Sequence, residues 1–114
     1  MTLDHFRESC LSFKGTTEDL PFDENTLISK VMGKMFALTN LFNFELINLK
    51  YSIEETTVLR EEFIAIRPVY HMNKKHWTSI RVYGDISDIQ LKQWITDSYN
   101  VVVKNMFTKI RDVL

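Results

Sequence analysis

Apolar residues recur at helical spacing from the first turn of the chain. Leu3, Phe6, Cys10 and Phe13 lie three or four residues apart, which predicts an amphipathic helix over residues 3–14. Thr2 is the expected N-cap, Asp4 complements the positive end of the dipole, and Gly15 is the expected stop. Cys10 falls on the buried face and reads as a small core residue rather than a reactive thiol. Residues 16–25 are polar and acidic, with Pro21 among them, and read as a loop anchored into the core by Phe22. Two β-rich runs follow, Leu27–Met32 and Lys34–Thr39, and Gly33 between them signals a hairpin. Methionine resists positive φ, so the turn is expected to place Gly33 in the left-handed region beside a bulge. Phe44–Lys50 reads as a third strand, giving a meander.

Ser52 and Glu55 have the spacing of a capping box and predict a second helix to about Phe63, with Thr56, Leu59 and Phe63 on its buried stripe. Pro68 prevents its continuation, and residues 64–76 are expected to form an irregular connector. Thr78–Tyr83 alternates and reads as a fourth strand. Ser87 and Gln90 form a second capping box, with Ile86 and Leu91 placed as a hydrophobic staple. A third helix is predicted from Asp88 to about Lys109, with Leu91, Trp94, Ile95, Ser98 and Val102 on one face. Tyr99, Val103 and Met106 lie off that stripe and offer a second apolar face, for a dimer or for the tail. The expected architecture is α+β in the order α-β-β-β-α-β-α, an antiparallel sheet with helices packed on one face, in one domain over residues 1–114. Strand alternation puts Asn48 and Lys50 on one face, and Ser79 and Arg81 on one face of the next strand. With helices on the opposite side, these groups are expected to line an open, wet surface.

Composition adds constraints. The chain has 114 residues, 45% hydrophobic and 25% charged, the values of an ordinary globular domain. The formal net charge of −1 argues against a protein whose whole surface attracts nucleic acid, so any phosphate contact needs a local cluster of cations. One cysteine excludes an internal disulfide. The first residues lack a basic and an apolar leader segment, and no apolar run is long enough to cross a bilayer, so a soluble cytoplasmic protein without a membrane partner is expected.

The segment richest in chemistry is Tyr70-His71-Met72-Asn73-Lys74-Lys75-His76-Trp77. Lys74 and Lys75 are suited to phosphates, Asn73 to a base edge or backbone, and Tyr70 or Trp77 to stacking. The bland alternative makes Tyr70 and Trp77 core anchors and the lysines solvated charges. His71 and His76 lack a neighbouring cysteine or carboxylate, and a zinc site needs three or four ligands, so neither metal nor cofactor is expected. No phosphate-cradling glycine loop, nucleophile elbow or exposed Cys–His arrangement is present, so no enzymatic activity is expected.

The same segment resembles the signature of the MmcQ/YjbR-like family. Thr17-Glu18-Asp19-Leu20-Pro21-Phe22-Asp23-Glu24, Gly33-Lys34-Met35-Phe36-Ala37-Leu38, Asn48-Leu49-Lys50 and Leu59-Arg60-Glu61 agree with it in place and spacing. Met32 departs from it, standing where the family commonly has the first glycine of a Gly-Gly turn, and residues 104–114 extend past it. The resemblance implies a CyaY-like fold, akin in shape to secretion chaperones, and a DNA-binding role drawn from hairpin wings beside a helix. The expected nucleic-acid-contacting residues are Lys30, Lys34, Lys50, Asn73, Lys74, Lys75, His76, Trp77 and Arg81, with Tyr70 and His71 lining a pocket. The alternative on the same surface is a protein- or peptide-interaction module, or a small-anion pocket.

Overall fold

The computed structural model describes residues 1–50, 66–68 and 77–113, of which 66–68 and 108–113 in backbone only. Its elements are α1 (Leu3–Leu11), β1 (Thr16–Asp19), β2 (Thr26–Val31), β3 (Lys34–Asn40), β4 (Leu46–Lys50), β5 (Ile66–Pro68), β6 (Trp77–Arg81) and α2 (Asp88–Val113). The predicted helix over 52–63 lies outside the described residues. Among the described residues six strands form one sheet in the order β1-β2-β3-β4-β6-β5, antiparallel at every junction. The fold is α+β, with both described helices on one face of the sheet.

Two strands were not expected. Thr16–Asp19 pairs with β2 instead of forming a loop, and Ile66–Pro68 pairs with β6 within the expected connector. Thr16 and Thr17 are β-branched and suit an edge strand, and Asp19 at its end is a charge of the kind that discourages further pairing. Phe22 does not anchor the following loop: it is 70% exposed.

Both helices start as predicted. Thr2 Oγ1 accepts from the His5 amide at 3.2 Å, and Ser87 Oγ accepts from the Gln90 amide at 3.2 Å. Ile86 and Leu91, the staple pair, are both buried. The helices run side by side in the same sense. The N-terminal ammonium meets Asp88 at 2.7 Å near their starts, and the Tyr99 hydroxyl donates to the Lys14 carbonyl at 2.6 Å beyond the end of α1.

The main core lies between helices and sheet. Phe6 and Cys10 of α1 and Leu91, Trp94, Ile95 and Val102 of α2 pack on Val31, Phe36, Ala37, Ile47, Leu49 and Ile80. The second stripe on α2 is absorbed by the same core: Tyr99, Val103 and Met106 pack against it, and Tyr99 stacks on Phe13 with centroids 4.7 Å apart. Burial in this core pushes the Cys10 thiol up to about 12, and the neighbouring Ser29 hydroxyl offsets this only in part. Among the described residues no donor or acceptor meets Ser29 Oγ in good hydrogen-bond geometry, so its hold on the thiol is weak.

The far face of the sheet is not the open polar surface that alternation suggested. Ile28, Leu38 and Trp77 are buried there as a second cluster, with Met35 packed against it. Ser79 is buried on the same face, and its hydroxyl donates to Asn48 Oδ1 at 2.5 Å. Alternation assigned these polar side chains to one face correctly, but it carries no information about what else covers that face.

Candidate functional site

The β2–β3 turn sits at one end of the sheet, and its geometry departs from expectation. Val31 pairs directly with Lys34, and both intervening residues have positive φ, 49° at Met32 and 82° at Gly33. This is a two-residue turn of the primed kind, tight enough to match the strand twist, with Met32 bearing the backbone strain. The bulge lies within β3. Ser29 pairs with Ala37 but Lys30 pairs with Met35, so Phe36 is the extra residue. Its side chain enters the main core beside that of Ala37.

A buried serine completes that bulge. Ser98 Oγ on α2 donates to the Phe36 carbonyl at 2.5 Å and accepts from the Lys50 amide at 2.8 Å. One hydroxyl thus satisfies a carbonyl in β3 and the last amide of β4, and it fixes where Lys50 leaves the sheet. The Lys50 ammonium then lies 5.9 Å from the Trp77 ring centroid, within cation–π range. Trp77 itself is buried in the second cluster, so its ring braces Lys50 and presents no free stacking face.

The pairing brings Lys30, Lys34, Lys50 and Trp77 to this turn end. Lys50 pairs with Trp77, while Lys30 is opposite Met35 and Lys34 opens β3. Lys14, which sequence reasoning passed over, joins them: the Gly15 carbonyl accepts from the Met32 amide at 3.2 Å, which ties residues 14–16 to the turn. The only sequence signal for Lys14 is its place beside the helix-stopping Gly15. Lys30 is partly neutralised by Asp19 at 3.4 Å, whereas Lys34 and Lys50 have no carboxylate partner among the described residues. Glu18 does not oppose them, because Arg7 Nε donates to both of its carboxylate oxygens at 3.1 and 3.2 Å.

Arg81 does not join this group. It pairs with Leu46 at the other end of β6, about 13 Å along the strand from Trp77 at ~3.3 Å per residue. Tyr70, His71, Asn73, Lys74, Lys75 and His76 lie outside the described residues. Among the described residues no three His, Cys, Asp or Glu side chains are placed to hold a metal ion, and no helix is long and apolar enough to cross a membrane.

The opposite end of the sheet differs in chemistry. Loops 20–25, 41–45 and 82–87 contain Asp23, Glu24, Glu45 and Asp85 and no lysine or arginine. These loops are acidic, and Arg81 stands at the same end of the sheet.

A family model described as YjbR matches residues 11–101. The uncharacterised protein YbdF of Escherichia coli O157:H7 is 37% identical over 87 residues, covering 75% of this chain and 71% of that one. The uncharacterised protein YjbR of Escherichia coli K12 is 27% identical over 115 residues, covering all of this chain and 98% of its own. The crystal structure of the Deinococcus radiodurans protein DR2400, a DUF419 domain, superposes with a TM-score of 0.87 at 35% identity, over 96% of this chain and 83% of that one. A Pseudomonas syringae protein at 23% identity shares the fold, with a TM-score of 0.73 over 89% of this chain and 98% of its own.

Proposed function

The chain belongs to the YjbR family, and from its lysine-bearing turn end we propose that it is a DNA-binding protein without catalytic activity, engaging the phosphate backbone. One observation supports this above others: Lys14, Lys30, Lys34 and Lys50 gather at one end of a chain whose net charge is −1, while the loop carboxylates lie at the other. A local positive field is what phosphate contact requires. Lys34 is exposed at the hairpin and the half-buried Lys50 is steadied by Trp77, so two cations with no carboxylate partner among the described residues stand at this end. Lys74 and Lys75 precede Trp77 in sequence and would extend the same contact. These groups carry no base-reading geometry, so the binding is directed at backbone rather than at sequence.

Electrophoretic mobility shifts with duplex and single-stranded DNA at 50 and 200 mM salt test the reading. Binding at low salt should weaken steeply at the higher concentration, and Lys34→Glu combined with Lys50→Glu should abolish it. Unchanged mobility of DNA at low salt, or full binding by the double variant, would overturn the proposal.

A further inference from the structure

Large hydrophobic side chains are exposed at the loop end out of proportion to its size. Among the described residues nine are exposed, and six of them are here: Leu20, Phe22, Phe42, Leu46, Tyr83 and, on the first turn of α2, Ile89. Phe22, Phe42 and Tyr83 are 70%, 83% and 68% exposed, each at the tip of a different loop. Scattered single apolar residues on a surface need no explanation, but a concentration of aromatics at one pole does.

The three loops form one platform. The Leu41 amide donates to the Asn25 carbonyl at 2.7 Å, and the Val82 amide donates to the Glu45 carbonyl at 2.8 Å, so each loop is tied to its neighbour. Within them, Asp23 Oδ1 accepts from the amides of Asn25 and Thr26 at 2.8 and 2.7 Å, and Asn40 Oδ1 accepts from Phe42 and Asn43 at 2.8 and 3.1 Å. These bonds hold Phe22 and Phe42 outward on fixed backbones, so little ordering is lost when a partner arrives.

The carboxylates identify the partner. Asp23 and Glu24 follow Phe22, Glu45 follows Phe42 by three positions, and all three are exposed. Backbone amides hold the Asp23 carboxyl below the usual carboxylate range, so it stays ionised at neutral pH. Aromatic faces and carboxylates attract one kind of group in common, the guanidinium or ammonium of a basic side chain. They repel phosphate, which separates this surface from the DNA contact at the other end.

We propose that the loop end, through Phe22, Phe42 and Tyr83 with Asp23, Glu24 and Glu45, docks a basic, extended segment of a partner protein. The proposal does not depend on the DNA-binding reading. The test uses the full chain and fluorescein-labelled nona-arginine, with nona-glutamate as control, followed by fluorescence anisotropy. Nona-arginine should bind and nona-glutamate should not. Phe22→Ser, Phe42→Ser and Tyr83→Ser together should weaken binding about tenfold, from three exposed cation–π contacts. Lys34→Glu with Lys50→Glu should not weaken it. Thermal unfolding of the triple variant within a few degrees of the parent secures that the fold is intact. No binding of nona-arginine at low salt, or equal affinity of the triple variant and the parent, would overturn the proposal. Concentration-dependent self-association abolished by the triple variant would also overturn it, making a second copy's lysine end the occupant.

Discussion

The two ends of the sheet are built by different means. The lysine end is assembled from residues far apart in sequence: Ser98 binds the Phe36 carbonyl and the Lys50 amide, and the Tyr99 hydroxyl binds the Lys14 carbonyl. The loop end is held mainly by short-range bonds, in which Asp23 and Asn40 bond amides two or three residues on. The first kind of construction fixes side chains on a frame that survives only if the whole fold does. The second fixes a loop tip whatever the helices do. The lysine end should therefore fail with global stability, while the loop end should keep its shape through modest destabilisation.

The largest effect that would break this contrast comes from Ser98→Ala. It leaves a buried carbonyl and an amide without their shared partner, which should cost about 2–3 kcal/mol and lower Tm by roughly 10 °C for a domain of this size. Differential scanning calorimetry measures the loss. Hydrogen exchange should show faster opening around residues 34–37 and 50, with loop amides at 25, 26, 42 and 43 little changed. Equal acceleration at both ends would show that the loop platform depends on the same frame.

How much of this was legible beforehand follows the same division. Thr2, Ser87, Ile86 and Leu91 are local signals with fixed offsets, and both helix starts were read from them correctly. Ser98 was placed on the buried stripe of its helix by periodicity. Its bond to a bulge 62 positions earlier has no sequence signature, because nothing in residues 34–40 announces that Phe36 is extra. The alternation that grouped Asn48, Lys50, Ser79 and Arg81 is blind to position along the strand. It could not tell that Arg81 sits at the opposite end from Lys50, nor that Trp77 is buried on their shared face. Phe22 was misplaced because an aromatic in a polar loop is usually an anchor; a surface role has no separate local pattern.

Labelling of Cys10 probes the main core that joins both ends. With its pKa pushed up to about 12 and its side chain fully buried, the thiol should resist a disulfide reagent at pH 8 in the native state. It should react at the rate of a free cysteine once the chain is unfolded in guanidinium. Rapid native labelling would mean that α1 opens from the sheet independently, and the lysine end would then be less firmly framed than Ser98 suggests.

A gain of stability is expected at the turn. Met32 has φ 49° with its side chain exposed, so replacing it by asparagine, which tolerates the left-handed region, should relieve about 1 kcal/mol. Tm should rise by roughly 4 °C, and DNA affinity should be retained because Lys34 keeps its place. A fall in Tm would mean that Met32 earns its position by covering Gly15, whose nearest side-chain neighbour it is.

The smallest effect is a pH dependence confined to the loop end. Amide hydrogen bonds from Asn25 and Thr26 depress the Asp23 pKa, and the side chain is solvent-exposed. A depressed folded-state pKa means that the native state binds its proton less readily than the unfolded chain does. The resulting stabilisation is therefore present above the unfolded value, about 3.9 for aspartate, and is lost as pH falls through the folded value. Asp23→Asn retains an acceptor for both amides but cannot titrate. Melting curves of parent and variant should differ at pH 6 and converge only once the pH has fallen through the depressed folded-state value, where neither carries a charge at position 23. If the local-bonding account is right, the Ser98→Ala background should show the same parent–variant difference at pH 6, because the Asx bonds do not pass through the helix. A difference that disappears in that background would tie the two ends together.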